Sequence, residues 1–145
     1  MQPRTYRESL GTMAEDAKWP RAHSLISNKE SAVGLIDIPA HKTSISETSA
    51  HLTPAAIREA LKRYSTFSYS TYAEITTTLQ DLGQIEDPDS NEQSTIESIA
   101  GADKALTIAL GGDNSITHAA ALGVFGDELE TAGLITFDAH HDLRD

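Results

Sequence analysis

Three side chains near the end of the chain, Asp138, His140 and Asp142, alternate within the run Asp-Ala-His-His-Asp. On an extended backbone, alternate residues project to one side with about 6 to 7 Å between successive members. Two carboxylates able to bridge, with an imidazole between them, can straddle a pair of cations roughly 3.5 to 4 Å apart. The chain has no cysteine, so a metal must be held by carboxylate, imidazole or amide groups. That donor set favours manganese and admits iron, nickel or zinc. The plainer alternative is that Asp138 and Asp142 cap a helix or sit in a solvated turn. Their position directly after the apolar run Leu-Ile-Thr-Phe at residues 134–137 favours metal ligation.

A second polar cluster, Gly111-Gly112-Asp113-Asn114-Ser115, follows another apolar run. Backbone amides at a helix start attract phosphate, but no lysine stands in the P-loop position and the loop carries its own carboxylate, which argues against a nucleotide. A tight turn with Ser115 as helix cap accounts for the glycines without any ligand. His118, four residues after Asn114, reads either as a residue near this cluster or as a helix-surface histidine.

The elements needed to position these clusters are legible as apolar runs. Residues 32–38 (Ala-Val-Gly-Leu-Ile-Asp-Ile) and 105–110 (Ala-Leu-Thr-Ile-Ala-Leu) fit strands buried on both faces, and residues 134–137 a third. Residues 53–64 read as a helix with Thr53 as cap, Pro54 in the first turn, and Ile57, Ala60, Leu61 and Tyr64 on one face. Further helices are expected over 92–104 and 115–124. Residues 65–82 are hard to place: 75–79 suit strand or helix, and 82–86 look extended. Strands alternating with helices point to β-α-β units, hence a three-layer α/β/α fold with a mainly parallel sheet. In such sheets ligands bind beyond the carboxyl ends of the strands, where both polar clusters begin. Residues 1–30, interrupted by Pro3 and Pro20, read as an irregular arm with room for a short helix within 14–27, and 31–145 as the domain.

Composition excludes some classes of function. The net charge is −11, and after Arg63 the only Lys or Arg residues are Lys104 and Arg144. Such a surface repels phosphate backbones and anionic lipid, so neither nucleic acid nor membrane is an expected partner. The opening residues carry no signal-peptide core and no stretch has the apolar length of a span, which makes a cytoplasmic location the expectation.

Taken together, residues 108–145 resemble the ureohydrolase family: arginases, agmatinases, guanidinobutyrases and formimidoylglutamases. The upstream strand and helix at 32–38 and 53–64 look like that family's first strand and helix. The resemblance implies an arginase-like α/β fold, two Mn2+ ions, and a small-molecule amidine or guanidine substrate attacked by a metal-bridging hydroxide. It also implies a homo-oligomer. It assigns Asp138 and Asp142 as bridging carboxylates and His140 as a terminal ligand. The His-Asp-Leu-Arg run at 141–144 is most similar to formimidoylglutamases, implying hydrolysis of N-formimidoyl-L-glutamate to glutamate and formamide, with His141 and Arg144 as substrate or supporting contacts. A urea-releasing relative or a non-catalytic member is the alternative.

The sequence departs from the pattern twice. Asn114 stands where the family commonly has the histidine of Gly-Gly-Asp-His-Ser, a ligand to the other ion, and an amide oxygen is a poorer donor to a transition metal. The family's later Asp-x-Asp ligands have no counterpart before Asp145, so the fold is expected to be incomplete at the carboxyl end and the chain inactive by itself.

Overall fold

The computed structural model describes residues 19–138. Its centre is β2 (Val33–Ile38), apolar apart from Asp37 and buried along almost its whole length. It lies in a four-stranded sheet of order β1-β5-β2-β6, with β1 Ile26–Ser27, β5 Leu79–Gln84 and β6 Leu106–Gly111. Every ladder in this sheet is parallel. A separate antiparallel hairpin is formed by β3 (Phe67–Ser68) and β4 (Ala73–Glu74).

Period-two alternation sends the two faces of β2 to different layers. Ile36 and Ile38 face a core shared with Ile85 and with Ile99 of α2 (Glu92–Ala102), against which Ile116 and Ala120 of α3 (Ile116–Phe125) also pack. Gly123 of α3 sits so close to α2 that an added Cβ would lie 2.7 Å from Ile99 Cβ, so the helix pair tolerates no larger residue there. On the opposite face Asp37 meets α1 (Thr53–Leu61). The result is the three-layer, mainly parallel α/β arrangement expected from the alternation of runs.

An ion network joins α1 to the sheet. Arg58 Nε donates to both oxygens of Asp37 at 3.0 and 2.7 Å, and Nη1 and Nη2 donate to Asp81 at 3.0 and 2.8 Å. One guanidinium thereby ties α1 to two adjacent strands, where the β2–β5 register shifts between Leu35 and Asp37. Burial pushes Asp81 up, but the Arg58 hydrogen bonds, the Gly83 amide and the Arg58 charge outweigh it and hold the carboxyl below its ordinary value. Burial likewise opposes the Arg58 charge, and the two aspartates more than offset it.

Several expectations are corrected. Thr53 is not the cap of α1: it already has helical dihedrals, Leu52 occupies the cap position without a side-chain bond, and a short 3-10 turn, Ala50–Leu52, leads in. Tyr64 lies past the helix end and is 64% exposed. Residues 134–137 form no strand; Leu134, Ile135 and Phe137 are 77, 82 and 98% exposed. An extended segment needs a neighbour for its amides and carbonyls, and this one pairs with none of the described strands. The ambiguous region around residue 80 yields β5, which overlaps the end of the 75–79 segment and the first part of the 82–86 segment read as extended. Within residues 19–30 the short helical piece allowed by the sequence is a 3-10 turn, Ala22–Leu25, and the strand β1 is the unforeseen element.

Candidate functional site

The loops after β2 and β6 meet at the carboxyl end of the sheet, and glycine is what lets them meet. Gly112 donates its amide to Ile38 O at 3.1 Å, and Asp113 donates to Ala40 O at 2.9 Å. A Cβ on Gly112 would lie 1.7 Å from the Ala40 carbonyl oxygen, a backbone collision that no side-chain motion relieves. Gly112 thus serves loop apposition, while Gly111 makes room for the Ile116 side chain.

Asp113 is the strut of this junction. One oxygen accepts the Thr43 hydroxyl at 2.9 Å and the Ser44 hydroxyl at 3.3 Å; the other accepts the Ser115 amide at 3.1 Å and the Ser115 hydroxyl. Burial alone would raise this carboxyl, yet the four donors hold it below the ordinary carboxylate value. Its acceptor capacity is largely used within the chain, so Asp113 shapes the loops rather than standing ready for a cation. Ser115 occupies the helix cap position but makes no side-chain cap bond, because its hydroxyl points to Asp113.

Upstream, Asp89 anchors the start of the same loop. It accepts the amides of His41 at 3.0 Å and Lys42 at 2.8 Å, and His41 Nδ1 lies 3.2 Å from its other oxygen. The His41 ring stacks obliquely on His51 at 4.5 Å between centroids. Between the anchored loop and the β6 turn lies an open groove of about 750 Å³, lined by residues 43–48, Ala50, Asp113 and Asn114.

The structure places Asn114 on this groove, exposed to solvent. Asp138 is exposed in the segment beyond the sheet, and His140, His141, Asp142 and Arg144 lie outside the described residues. Among the described residues no group of three or more His, Asp or Glu is placed to hold a metal. The described part therefore does not itself assemble the expected centre. His118 belongs to the helix surface: its Nδ1 is 3.0 Å from Glu92 Oε1, with both side chains more than half exposed. Thr43, Ser44 and Asp89 were missed from sequence because their partners lie 47 to 70 residues away, as in the Thr43–Asp113 separation of 70. Among the described residues no helix is long and apolar enough to cross a membrane.

Comparison with known proteins agrees with this architecture. Formimidoylglutamase of Halalkalibacterium halodurans is 35% identical over 123 residues, covering 77% of this chain and 37% of that protein. The Bacillus subtilis formimidoylglutamase is 34% identical over 119 residues, covering 76% and 37%. The crystal structure of formimidoylglutamase from Bacillus subtilis superposes with a TM-score of 0.77 and 28% identity over 97% of this chain and 48% of that one. The chain thus spans little more than a third of the length of these curated relatives. The family model for arginases matches residues 31–145, and on that match the chain belongs to the arginase family.

Proposed function

We propose that this chain supplies the amino-terminal part of a metal-dependent hydrolase of linear amidines, acting on N-formimidoyl-L-glutamate to give glutamate and formamide. The observation that carries the reading is the likeness to two formimidoylglutamases at 34 to 35% identity, within a family match over residues 31–145 that includes the Gly-Gly-Asp turn. The groove at the carboxyl ends of β2 and β6 supports it, since parallel α/β sheets bind ligands at that end.

In this proposal Asp138, His140 and Asp142 hold two Mn2+ ions, with Asn114 on the groove wall in the position of a further ligand. Bound ions of this kind make a water-derived nucleophile available near neutral pH. The chain's own contribution within the described residues is positional. Asp113 fixes residues 43 and 44 beside Asn114, and Asp89 fixes the start of that loop, so the groove keeps its shape without a ligand. Arg144 and His141 are proposed to contact substrate, Arg144 through the match between a guanidinium and a carboxylate. The cytoplasm is the proposed location and a homo-oligomer the proposed state of the whole enzyme.

Asn114 favours a second reading, a member with one weakened metal position and no catalysis, because an amide is a poorer transition-metal donor than imidazole. One experiment separates the two. The chain is co-expressed with the part of the Bacillus subtilis formimidoylglutamase that follows its matched region, supplied with manganese, and assayed for formamide and glutamate release. Release that requires manganese supports the hydrolase. A folded, metal-loaded complex that releases neither formamide nor, from agmatine or arginine, urea supports the non-catalytic reading.

A further inference from the structure

The β3–β4 hairpin carries aromatic rings that the fold does not bury. Phe67, Tyr69 and Tyr72 are 42, 77 and 70% exposed. Their rings pack on one another, Tyr69 and Tyr72 at 5.1 Å between centroids and Phe67 edge to face with Tyr72 at 6.3 Å. Trp19 and Tyr64, each more than half exposed, are held nearby: Ala22 donates its amide to Tyr64 O at 2.8 Å, and Thr66 donates to Pro20 O at 3.3 Å. Five of the chain's eight Trp, Tyr and Phe residues thus gather around one hairpin. That hairpin lies at the amino end of the parallel sheet, away from the groove. Thr78 O, just before β5, accepts the hydroxyl of Ser31, just before β2, at 2.6 Å, while the groove opens past the carboxyl ends of β2 and β6.

Two features mark these rings as kept for a contact. Tyr72 has φ 50°, a left-handed backbone that is rare for a bulky side chain and that Asn or Gly adopts at lower cost. An aromatic residue held in that conformation points to a role for its ring. The second feature is charge. From residue 64 to residue 80 the only side chain charged at pH 7 is Glu74, whose carboxylate accepts the Thr66 hydroxyl, in a chain of net charge −11.

We propose that the aromatic hairpin is a contact between two copies of this chain related by a two-fold axis. Charge selects the occupant: two chains of net charge −11 repel over most of their surface, and they approach with least repulsion where a stretch carries a single carboxylate. A two-fold contact requires a self-complementary patch. This one qualifies, since rings can meet rings and the Ser, Thr and Tyr hydroxyls both donate and accept. Area agrees as well. At about 150 to 250 Å² per aromatic side chain, the exposed fractions of the five rings offer roughly 600 Å² per copy, most of the about 800 Å² per partner of a stable interface. The proposal gives the proposed homo-oligomer one of its contacts and stands whether or not the complete enzyme is catalytic.

The test is the mass of the chain in solution, read without reference to activity by light scattering in line with gel filtration over a range of concentrations. A dimer is expected. Tyr72→Asn removes the ring and suits the left-handed backbone, so it should weaken self-association about thirty-fold. Compared at a dilution where both proteins are monomeric, the variant should melt no lower than wild type, which separates a lost contact from a damaged fold. Tyr69→Ser, at the most exposed of the three hairpin rings, should weaken the dimer to a similar extent and serves if the first variant does not fold. A chain that stays monomeric at every concentration, or a dimer that the folded variants leave at wild-type strength, would overturn the proposal.

Discussion

Replacing Arg58 by methionine removes the one cation that faces Asp37 and Asp81 within the described network. The side chains of Asp37, Arg58 and Asp81 are 9, 24 and 30% exposed. Removing one member of a buried pair costs roughly 3 to 5 kcal/mol, because the other charge remains desolvated and unpaired. Here the lower end applies, since Asp81 keeps partial access to water, and about 3 kcal/mol is expected at neutral pH. Against a typical domain stability of about 5 to 15 kcal/mol this is a large fraction. Arg58→Lys retains the charge but not the double fork, and about half of that loss is expected. The assay is urea unfolding followed by far-ultraviolet circular dichroism. Asp81 is held below its ordinary value in the folded state, so its contribution is complete above the unfolded carboxylate pKa of about 4 and disappears as pH falls through the folded value. The gap between wild type and Arg58→Met should therefore be full at pH 7 and shrink below about pH 4. A loss under about 1 kcal/mol at pH 7, the range of exposed pairs, would refute the reasoning.

Other consequences concern the loop junction. Gly112→Ala drives a Cβ into the Ala40 carbonyl, so a loss of about 2 kcal/mol or more is expected, and an unchanged melting temperature would contradict the close approach. Asp113→Asn keeps the shape but weakens the four accepted hydrogen bonds. Because that carboxyl is held low, the loss of about 1 kcal/mol should be seen at pH 7 and vanish as pH falls below about 4. Hydrogen exchange at residues 43–45 should quicken in that variant, and unchanged protection would exclude the strut. Asn114→His, under the proposed function, should raise manganese occupancy in the co-expressed complex, and unchanged metal content would place Asn114 away from the ions.

What the sequence made legible follows from how far each residue's partner lies along the chain. β2, β6 and the three helices were readable because continuous apolar runs and spacings of three and four residues are local signals. β5 was not, since Leu-Gln-Asp-Leu-Gly-Gln breaks any apolar run, and the place of its Asp81 is explained by Arg58, 23 residues upstream. Residues 134–137 have the composition of a strand, but a strand exists only beside another, and composition does not reveal whether the neighbour is present. At the site, the glycines of the β6 turn were visible while the reason for Gly112, the Ala40 carbonyl, was not. The metal row at Asp138, His140 and Asp142 was read from alternation, and all but Asp138 lies outside the described residues.

The central claim, that this family member binds its metal through the row beginning at Asp138, is tested most directly by elemental analysis of the co-expressed complex beside its Asp138→Ala variant. Both are loaded with manganese and freed of excess. About two manganese ions per complex in the wild type, with most of that metal lost in the variant while the complex stays folded, is the predicted result. Equal metal content in the two proteins, or no metal in a folded wild-type complex, would contradict it.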